Sequence, residues 1–357
     1  MFFAAVCGII RKKGGGNLKH IRIAQIGTGH AHAAAAFAAL KFHSDIFEIV
    51  GVAEPVPGRV ETTLRKKTYE GYPVYTAEEL LTMPDLDAVT VETDELYLSR
   101  YALMAAERGL HVHMDKPGGI EPDEFEKLVE TARRNGSVLH LGYMYRYNPS
   151  VMELLQQVKN GELGKILSVE AHMSCHCSKG EKESLCQFPG GMFFFLGCHL
   201  VDLILQIMGE PECVVPLNGK TGLDGMDCFD NGMAALMYPT GASFAKSSAS
   251  ETGGFYRRQL VVSGTEKTVE LKPLEALLPE SLQYTDRCDY CEIDPVATRG
   301  LEQSDFLKTS RSVPFHRYRD MLQAFGRMAA GEKENPYTYD YELMLYRTLM
   351  RCCGVKI

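Results

Sequence analysis

The chain has no apolar run long enough to cross a bilayer, which takes about 18 residues. Its local patch Phe193-Phe194-Phe195 is bracketed by glycines and ends at His199. A basic excess is lacking too: the formal net charge of −8 argues against a general nucleic-acid binder, which presents a Lys/Arg face. It leaves room for a compact anionic ligand held by a few local cations. The pattern of a secretory leader is missing, because Met1 to Ile10 is short and its basic cluster, Arg11-Lys12-Lys13, follows the apolar stretch instead of preceding it. There is no internal repeat, and no low-complexity tract beyond Gly14-Gly15-Gly16. Eleven cysteines in 357 residues are too sparse for a disulfide scaffold, so reduced thiols and a cytoplasmic location are expected.

What is present fits a soluble α/β protein of two domains. Ile21-Arg22-Ile23-Ala24-Gln25-Ile26 reads as a strand, Gly27-Thr28-Gly29 as a tight turn, and alanine-rich Ala31 to Leu40 as a helix. A pyrophosphate site needs that order. Gly27 permits the turn, Gly29 lets the backbone approach phosphates, and the helix start offers free N–H groups. A second strand, Phe47 to Ala53, ends in Glu54, whose carboxylate suits ribose hydroxyls and repels a 2′-phosphate. NAD is therefore expected over NADP. The third small-residue position of the fingerprint holds His32 instead.

Strand and helix keep alternating through Leu86 to Thr93, Ser99 to Arg108, His111 to Met114, Pro122 to Asn135 and Val138 to Tyr143, as in βαβ crossovers of a parallel, doubly wound sheet. After Pro149 the texture changes. Ile166 to Met173, Gly232 to Tyr238, Ala242 to Ser250, Arg258 to Ser263 and Thr268 to Leu271 read as strands with few long helices between them, which predicts a largely antiparallel open sheet. Phe315 to Ala330 and Tyr341 to Cys352 read as helices that return to pack on either domain. The division expected is an extension at 1–19, a nucleotide-binding domain at 20–145, a substrate and oligomerisation domain at 146–330, and a closing helical segment at 331–357.

Three segments, Ile23-Ala24-Gln25-Ile26-Gly27-Thr28-Gly29-His30, Asp115-Lys116-Pro117 and Gly197-Cys198-His199-Leu200-Val201-Asp202, together resemble the Gfo/Idh/MocA family, as do Gly142-Tyr143-Met144-Tyr145-Arg146-Tyr147-Asn148-Pro149 and Val262-Ser263-Gly264-Thr265-Glu266. The resemblance implies a Rossmann domain followed by an α/β domain whose open sheet supports a homodimer or homotetramer. It also implies a nicotinamide cofactor and a sugar, cyclitol or related polyol oxidised at a secondary alcohol. Gly27, Thr28, Gly29, His30, Ala31, Glu54, Thr93 and Lys116 are the expected cofactor contacts. Lys116 and His199 are the expected catalytic pair, the imidazole exchanging the hydroxyl proton. Asp115 stands where the similar motif usually has glutamate.

Two departures accompany the resemblance. Many related polyol dehydrogenases have an aspartate where this chain has Phe195, four residues before His199. After Thr93, the usual Pro-Asn-x-x-His-like segment is replaced by Asp94-Glu95-Leu96-Tyr97-Leu98. Substrate-side candidates are Arg146, a bidentate carboxylate binder, with His172, Phe195 and Asp202. For each, packing or capping is the competing role. The clusters Cys175-His176-Cys177 with Cys186 and Cys288-Asp289-Tyr290-Cys291 offer soft ligands, but nothing in their spacing brings them together, and no metal is expected. The leading reading is an NAD-dependent oxidoreductase. A lyase or glycosidase using transient redox, and an inactive nucleotide-responsive binding protein, stay open.

Overall fold

The computed structural model describes residues 20–277, 286–293 and 308–357. The expected extension at 1–19 lies outside them. The first unit runs β1 (Ile21–Ile26), α1 (Ala33–Phe42), β2 (Phe47–Ala53), α2 (Val60–Arg65), β3 (Val74–Tyr75), α3 (Ala77–Leu81), β4 (Ala88–Val91), α4 (Leu98–Glu107), β5 (His111–Met114), α5 (Pro122–Asn135) and β6 (Leu139–Leu141). Its strands are all parallel in the order β3-β2-β1-β4-β5-β6. The order reverses at β1, so a crevice opens beyond the carboxyl ends of β1 and β4, where doubly wound sheets take their ligands.

Local chemistry explains these elements. β4, Ala-Val-Thr-Val, is buried at every position, as expected of a central parallel strand covered on both faces. In α5, Pro122 occupies the first turn, the buried residues Phe125, Leu128, Val129 and Ala132 follow helical spacing, and Gly136 ends the helix at φ 64°. α1 starts two residues later than its composition suggests, because Ala31 and His32 are drawn into the turn.

The second unit comprises α6 (Pro149–Lys159), β7 (Ile166–His172), α7 (Lys179–Leu185), α8 (Cys198–Met208), β8 (Cys213–Pro216), β9 (Asn231–Tyr238), β10 (Gly241–Ser248), β11 (Gln259–Gly264), β12 (Thr268–Leu271), β13 (Ala276–Leu277), β14 (Asp286–Ile293) and β15 (Lys308–Phe315). The sheet order is β13-β14-β12-β11-β7-β10-β9-β8, with β15 on β14. Among the described strands of this second sheet only β7 and β10 pair in parallel. Phe315 ends β15 instead of opening a helix. The helix begins at Arg319, giving α9 (Arg319–Ala329), followed by α10 (Tyr339–Cys352).

α9 closes back on the first unit. Leu322 and Phe325 join Ile23, Phe37 and Phe47 in one small core, and a Cβ on Gly326 would stand 2.5 Å from Ile46 Cγ2. α10 lies against α5, with Phe125 and Tyr346 stacked at 4.2 Å between ring centres. Phe193–Gly197 forms a π-type turn leading into α8, whose first eight residues are all buried. This arrangement brings the carboxyl ends of β1, β4 and β5 to the start of α8.

Candidate active site

A cleft of about 1000 Å³ lies between the units, lined by Gly29, Ala31, His32, Glu95, Lys116, Phe195, His199, Arg258 and Tyr318 among others. Its floor is the glycine turn. Gly27 has φ 90°, and a Cβ there would stand 2.5 Å from the Thr93 nitrogen, so only glycine lets the end of β1 meet the end of β4. A Cβ on Gly29 would overlap the Arg59 guanidinium, which pairs with Asp94 at 3.0 and 3.2 Å. Both glycines are therefore set by close packing, Gly27 against Thr93 and Gly29 against Arg59 and Asp94, which keeps the turn tight at the strand ends where a dinucleotide binds.

Glu54 is buried and braces the turn. It accepts the Thr28 N–H at 3.0 Å, the Thr28 hydroxyl, and the Val56 N–H at 2.9 Å. A carboxylate offers about four lone-pair sites, so little of its capacity is left over. Gly29, Ala31 and Lys116 line the cleft, whereas Gly27, Thr28, His30, Glu54 and Thr93 stand behind its surface.

Lys116 and His199 are brought together. The Lys116 ammonium donates to the Phe195 carbonyl at 3.1 Å and lies 4.1 Å from the centre of that residue's ring. His199 is buried, with the rings of Tyr145 and Tyr143 edge-on at 5.1 and 5.7 Å. Both tyrosines belong to the connection after β6. Burial, reinforced by the Lys116 charge, holds the His199 pKa well below the usual histidine value, so the ring is neutral at pH 7. Its Nδ1 has no hydrogen-bond partner among the described residues.

Beside them sits a cluster of imidazoles and carboxylates. His32 Nδ1 is 2.9 Å from Asp115 Oδ2, and His30 Nδ1 is 3.4 Å from the same oxygen. His30 Nε2 faces Glu95 at 3.1 Å. Burial pushes the His32 pKa down to about 4. Burial alone would raise Asp115, but His30, His32 and Lys116 pull it well below the carboxylate range. Glu92, fully buried and facing Asp115, is raised well above it by burial and by that carboxylate. The spacing His30-x-His32 and the pair Glu92 and Glu95 beyond β4 were the visible signals of this cluster. In the sequence alone, His32 stands out only as a misfit in the fingerprint.

Arg146 and Asp202, expected on the substrate side, do not line the cleft. They are buried against each other: the guanidinium donates to Asp202 at 2.8 Å and to Glu342 at 2.6 Å, and lies 3.8 Å from the Tyr337 ring centre. With both carboxylates engaged, Arg146 has nothing left for a ligand. His172 is also outside the cleft lining, bonded to Ser174 and Glu251 at 2.9 Å each. Phe195 does line it. Cys288 and Cys291 are buried in β14, while Cys175 and Cys177 border the cleft with their sulfurs 3.0 Å apart.

Comparison with known proteins agrees with this geometry. Residues 21–143 match the oxidoreductase family model with an NAD-binding Rossmann fold. Residues 151–270 match the GFO/IDH/MocA C-terminal domain. An uncharacterized oxidoreductase of Rhizobium meliloti is 24% identical over 75% of this chain and 76% of its own length. A D-glucoside 3-dehydrogenase of Escherichia coli is 30% identical over 35% of this chain but only 36% of that protein. An aldose-aldose oxidoreductase structure from Caulobacter crescentus, 19% identical, superposes with a TM-score of 0.75 over 94% of this chain and 98% of that one. No helix among the described residues is long and apolar enough to cross a membrane. With both of its units matched in order, and the strand order and cleft to go with them, the chain belongs to the Gfo/Idh/MocA family and is an NAD(P)-dependent oxidoreductase.

Proposed function

We propose that the enzyme uses NAD and moves hydride to or from a secondary alcohol of a sugar, cyclitol or related polyol, with His199 as acid/base and Lys116 as electrostatic partner. The observation that carries this reading is the convergence of Lys116 and His199, whose Nδ1 has no hydrogen-bond partner among the described residues, in one cleft with the glycine turn. The relative named as a D-glucoside 3-dehydrogenase, and a scyllo-inositol 2-dehydrogenase (NAD⁺) of Bacillus subtilis that is 24% identical over 48% of this chain and 50% of its own length, support the substrate class.

Oxidation of a secondary alcohol removes a hydride from carbon and a proton from oxygen. NAD would supply the hydride acceptor, with Gly29 and Ala31 of the turn lining the space that would hold it. Neutral His199 accepts the hydroxyl proton and returns it in the reverse direction. The Lys116 ammonium stabilises negative charge as it develops on the substrate oxygen. Phe195 presents an apolar ring at the same wall, suited to the C–H face of a sugar. The preference for NAD rests on Glu54, whose negative charge opposes a 2′-phosphate. Arg59 offers such a phosphate little, because Asp94 already holds its guanidinium.

The test is a spectrophotometric screen of the purified chain with NAD and NADP against sugars, cyclitols and their keto forms. Reduction of NAD by a polyol, lost on changing His199 or Lys116, is the expected result. Product formation without NADH accumulation would replace this reading with transient redox. Tight NAD binding without turnover would replace it with a binding role.

A further inference from the structure

Beneath the glycine turn, three buried or half-buried carboxylates meet two histidines, and the nearest lysine points away from them. His30 and His32 flank Ala31 at the start of α1, Asp115 follows β5, and Glu92 and Glu95 follow β4. Five side chains from three strand ends thus share one spot. Their acids outnumber the fixed cations there, since the Lys116 ammonium is directed to the Phe195 carbonyl.

The spacing is that of ligands around an ion. Nδ1 of His30, Nδ1 of His32 and a carboxylate oxygen of Asp115 lie within 4.8 Å of one another. His32 and His30 are 2.9 and 3.4 Å from Asp115 Oδ2, and Glu92 Oε2 is 3.9 Å from His30 Nδ1. A tetrahedral ion with bonds of about 2.0–2.1 Å separates its ligand atoms by about 3.3–3.5 Å. His30 Nδ1 is unprotonated, because it accepts the His32 N–H at 3.2 Å, and an ion would take that lone pair in place of the N–H. Its other nitrogen is 3.1 Å from the Glu95 carboxylate, within reach of the kind of carboxylate contact that orients a metal-binding imidazole.

Glu92 is the independent sign of a missing partner. Its side chain is completely buried, neither oxygen meets hydrogen-bond geometry with a described donor, and the groups facing it are the Asp115 carboxylate and, at 3.9 Å each, His30 Nδ1 and His113 Nε2. A bare carboxyl turned toward Asp115 and His30 is costly in a protein interior unless a cation or a proton joins it.

We propose that His30, His32, Asp115 and Glu92 form a binding site for one first-row divalent transition-metal ion, with zinc the default occupant. The mixed imidazole and carboxylate donors suit zinc, cobalt, iron or manganese and disfavour the soft ions that prefer sulfur. Because His32 borders the cleft, an ion can enter the site from the ligand space next to Lys116. This departs from the sequence-level expectation of no metal. It does not depend on the proposed substrate, because binding is read directly.

The experiment titrates the chelator-stripped full chain with Co²⁺ and follows visible d–d absorption, then displaces Co²⁺ with Zn²⁺. About one equivalent with a rise in melting temperature is expected. Glu92→Gln keeps shape while removing charge, and His32→Ala removes a ligand. Each should weaken Co²⁺ binding at least tenfold. Cys175→Ser/Cys177→Ser, which removes the neighbouring sulfur pair, should leave binding unchanged. No stoichiometric binding to the unaltered chain overturns the proposal and leaves a proton-sharing cluster. Binding that is lost in the cysteine variant and kept in His32→Ala overturns it as well.

Discussion

The Lys116 ammonium is held by the Phe195 main chain, 3.1 Å from its carbonyl oxygen, and stands 4.1 Å from the centre of the Phe195 ring. A main-chain carbonyl thus meets the lysine at the position where the resemblance led us to expect an aspartate. The carbonyl orients the ammonium and, unlike an aspartate, brings no opposing charge of its own; on the proposed mechanism that ammonium serves the substrate oxygen.

Lys116→Met keeps the length of the side chain and deletes the charge. It should lower kcat/KM by about 100-fold or more, the scale of losing one preorganised charge donor, while the Kd for NAD shifts little. Phe195→Leu keeps the carbonyl and loses only the ring contact, worth about 0.5–2 kcal/mol, so its loss should stay much smaller. Steady-state kinetics beside fluorescence titration of NADH separate the two. Full activity in Lys116→Met would remove the lysine from the mechanism.

Arg146 is expected to act on stability rather than on substrate. Arg146→Met strands the Asp202 and Glu342 carboxylates, both buried, and breaking such a pair costs about 3–5 kcal/mol. The urea midpoint should fall steeply, with KM unchanged in the protein that remains folded. A raised KM at unaltered stability would return Arg146 to the substrate side.

Glu54→Gln tests cofactor choice. The amide oxygen still accepts one main-chain N–H, but the charge opposing a 2′-phosphate is gone. The ratio of NADP to NAD dissociation constants should move toward NADP by about tenfold, or about 1.4 kcal/mol. An unchanged ratio in parallel titrations would mean that Glu54 only braces the turn.

The pair His113 and His140 sets a pH dependence of stability. Their Nδ1 atoms are 2.7 Å apart, and both rings are fully buried. Burial depresses the His113 pKa to about 4 and takes His140 well below its ordinary value. As pH falls below the unfolded value of about 6.5, the unfolded chain takes up protons that the native chain refuses, so stability declines. Glu92, raised by burial, works in the opposite direction. Comparing urea midpoints at about pH 7 and about pH 5 in the unaltered chain and in His113→Gln isolates the imidazole contribution. The variant should show the shallower decline, and equal slopes would refute it.

Most of the first unit was legible because its signals are local. β2, β5 and α5 fall on the residues that alternation, periodicity and the Pro122 and Gly136 end signals indicate. In the second unit, β14 was hidden by its own composition. Cys288 and Cys291 look like soft ligands, yet they pack in the core, in a strand whose partners β12 and β15 are distant in sequence. The sequence places the start of α9 at Phe315, four residues early, because Phe315 continues its apolar pattern although it closes β15.

By itself the sequence determined the glycine turn between β1 and α1, the parallel strand series and the pairing of Lys116 with His199 through their motifs. Those features depend on neighbours a few residues apart and on a resemblance carried by short segments. Only the tertiary structure decided that Arg146 belongs to Asp202 and Glu342, and that Phe195 supplies a carbonyl to Lys116. The same is true of the meeting of His30 and His32 with Asp115 and Glu92 under the turn. Each of these contacts joins chain segments far apart in sequence, and the burial that sets their charge states exists only once both layers and the returning helices have closed.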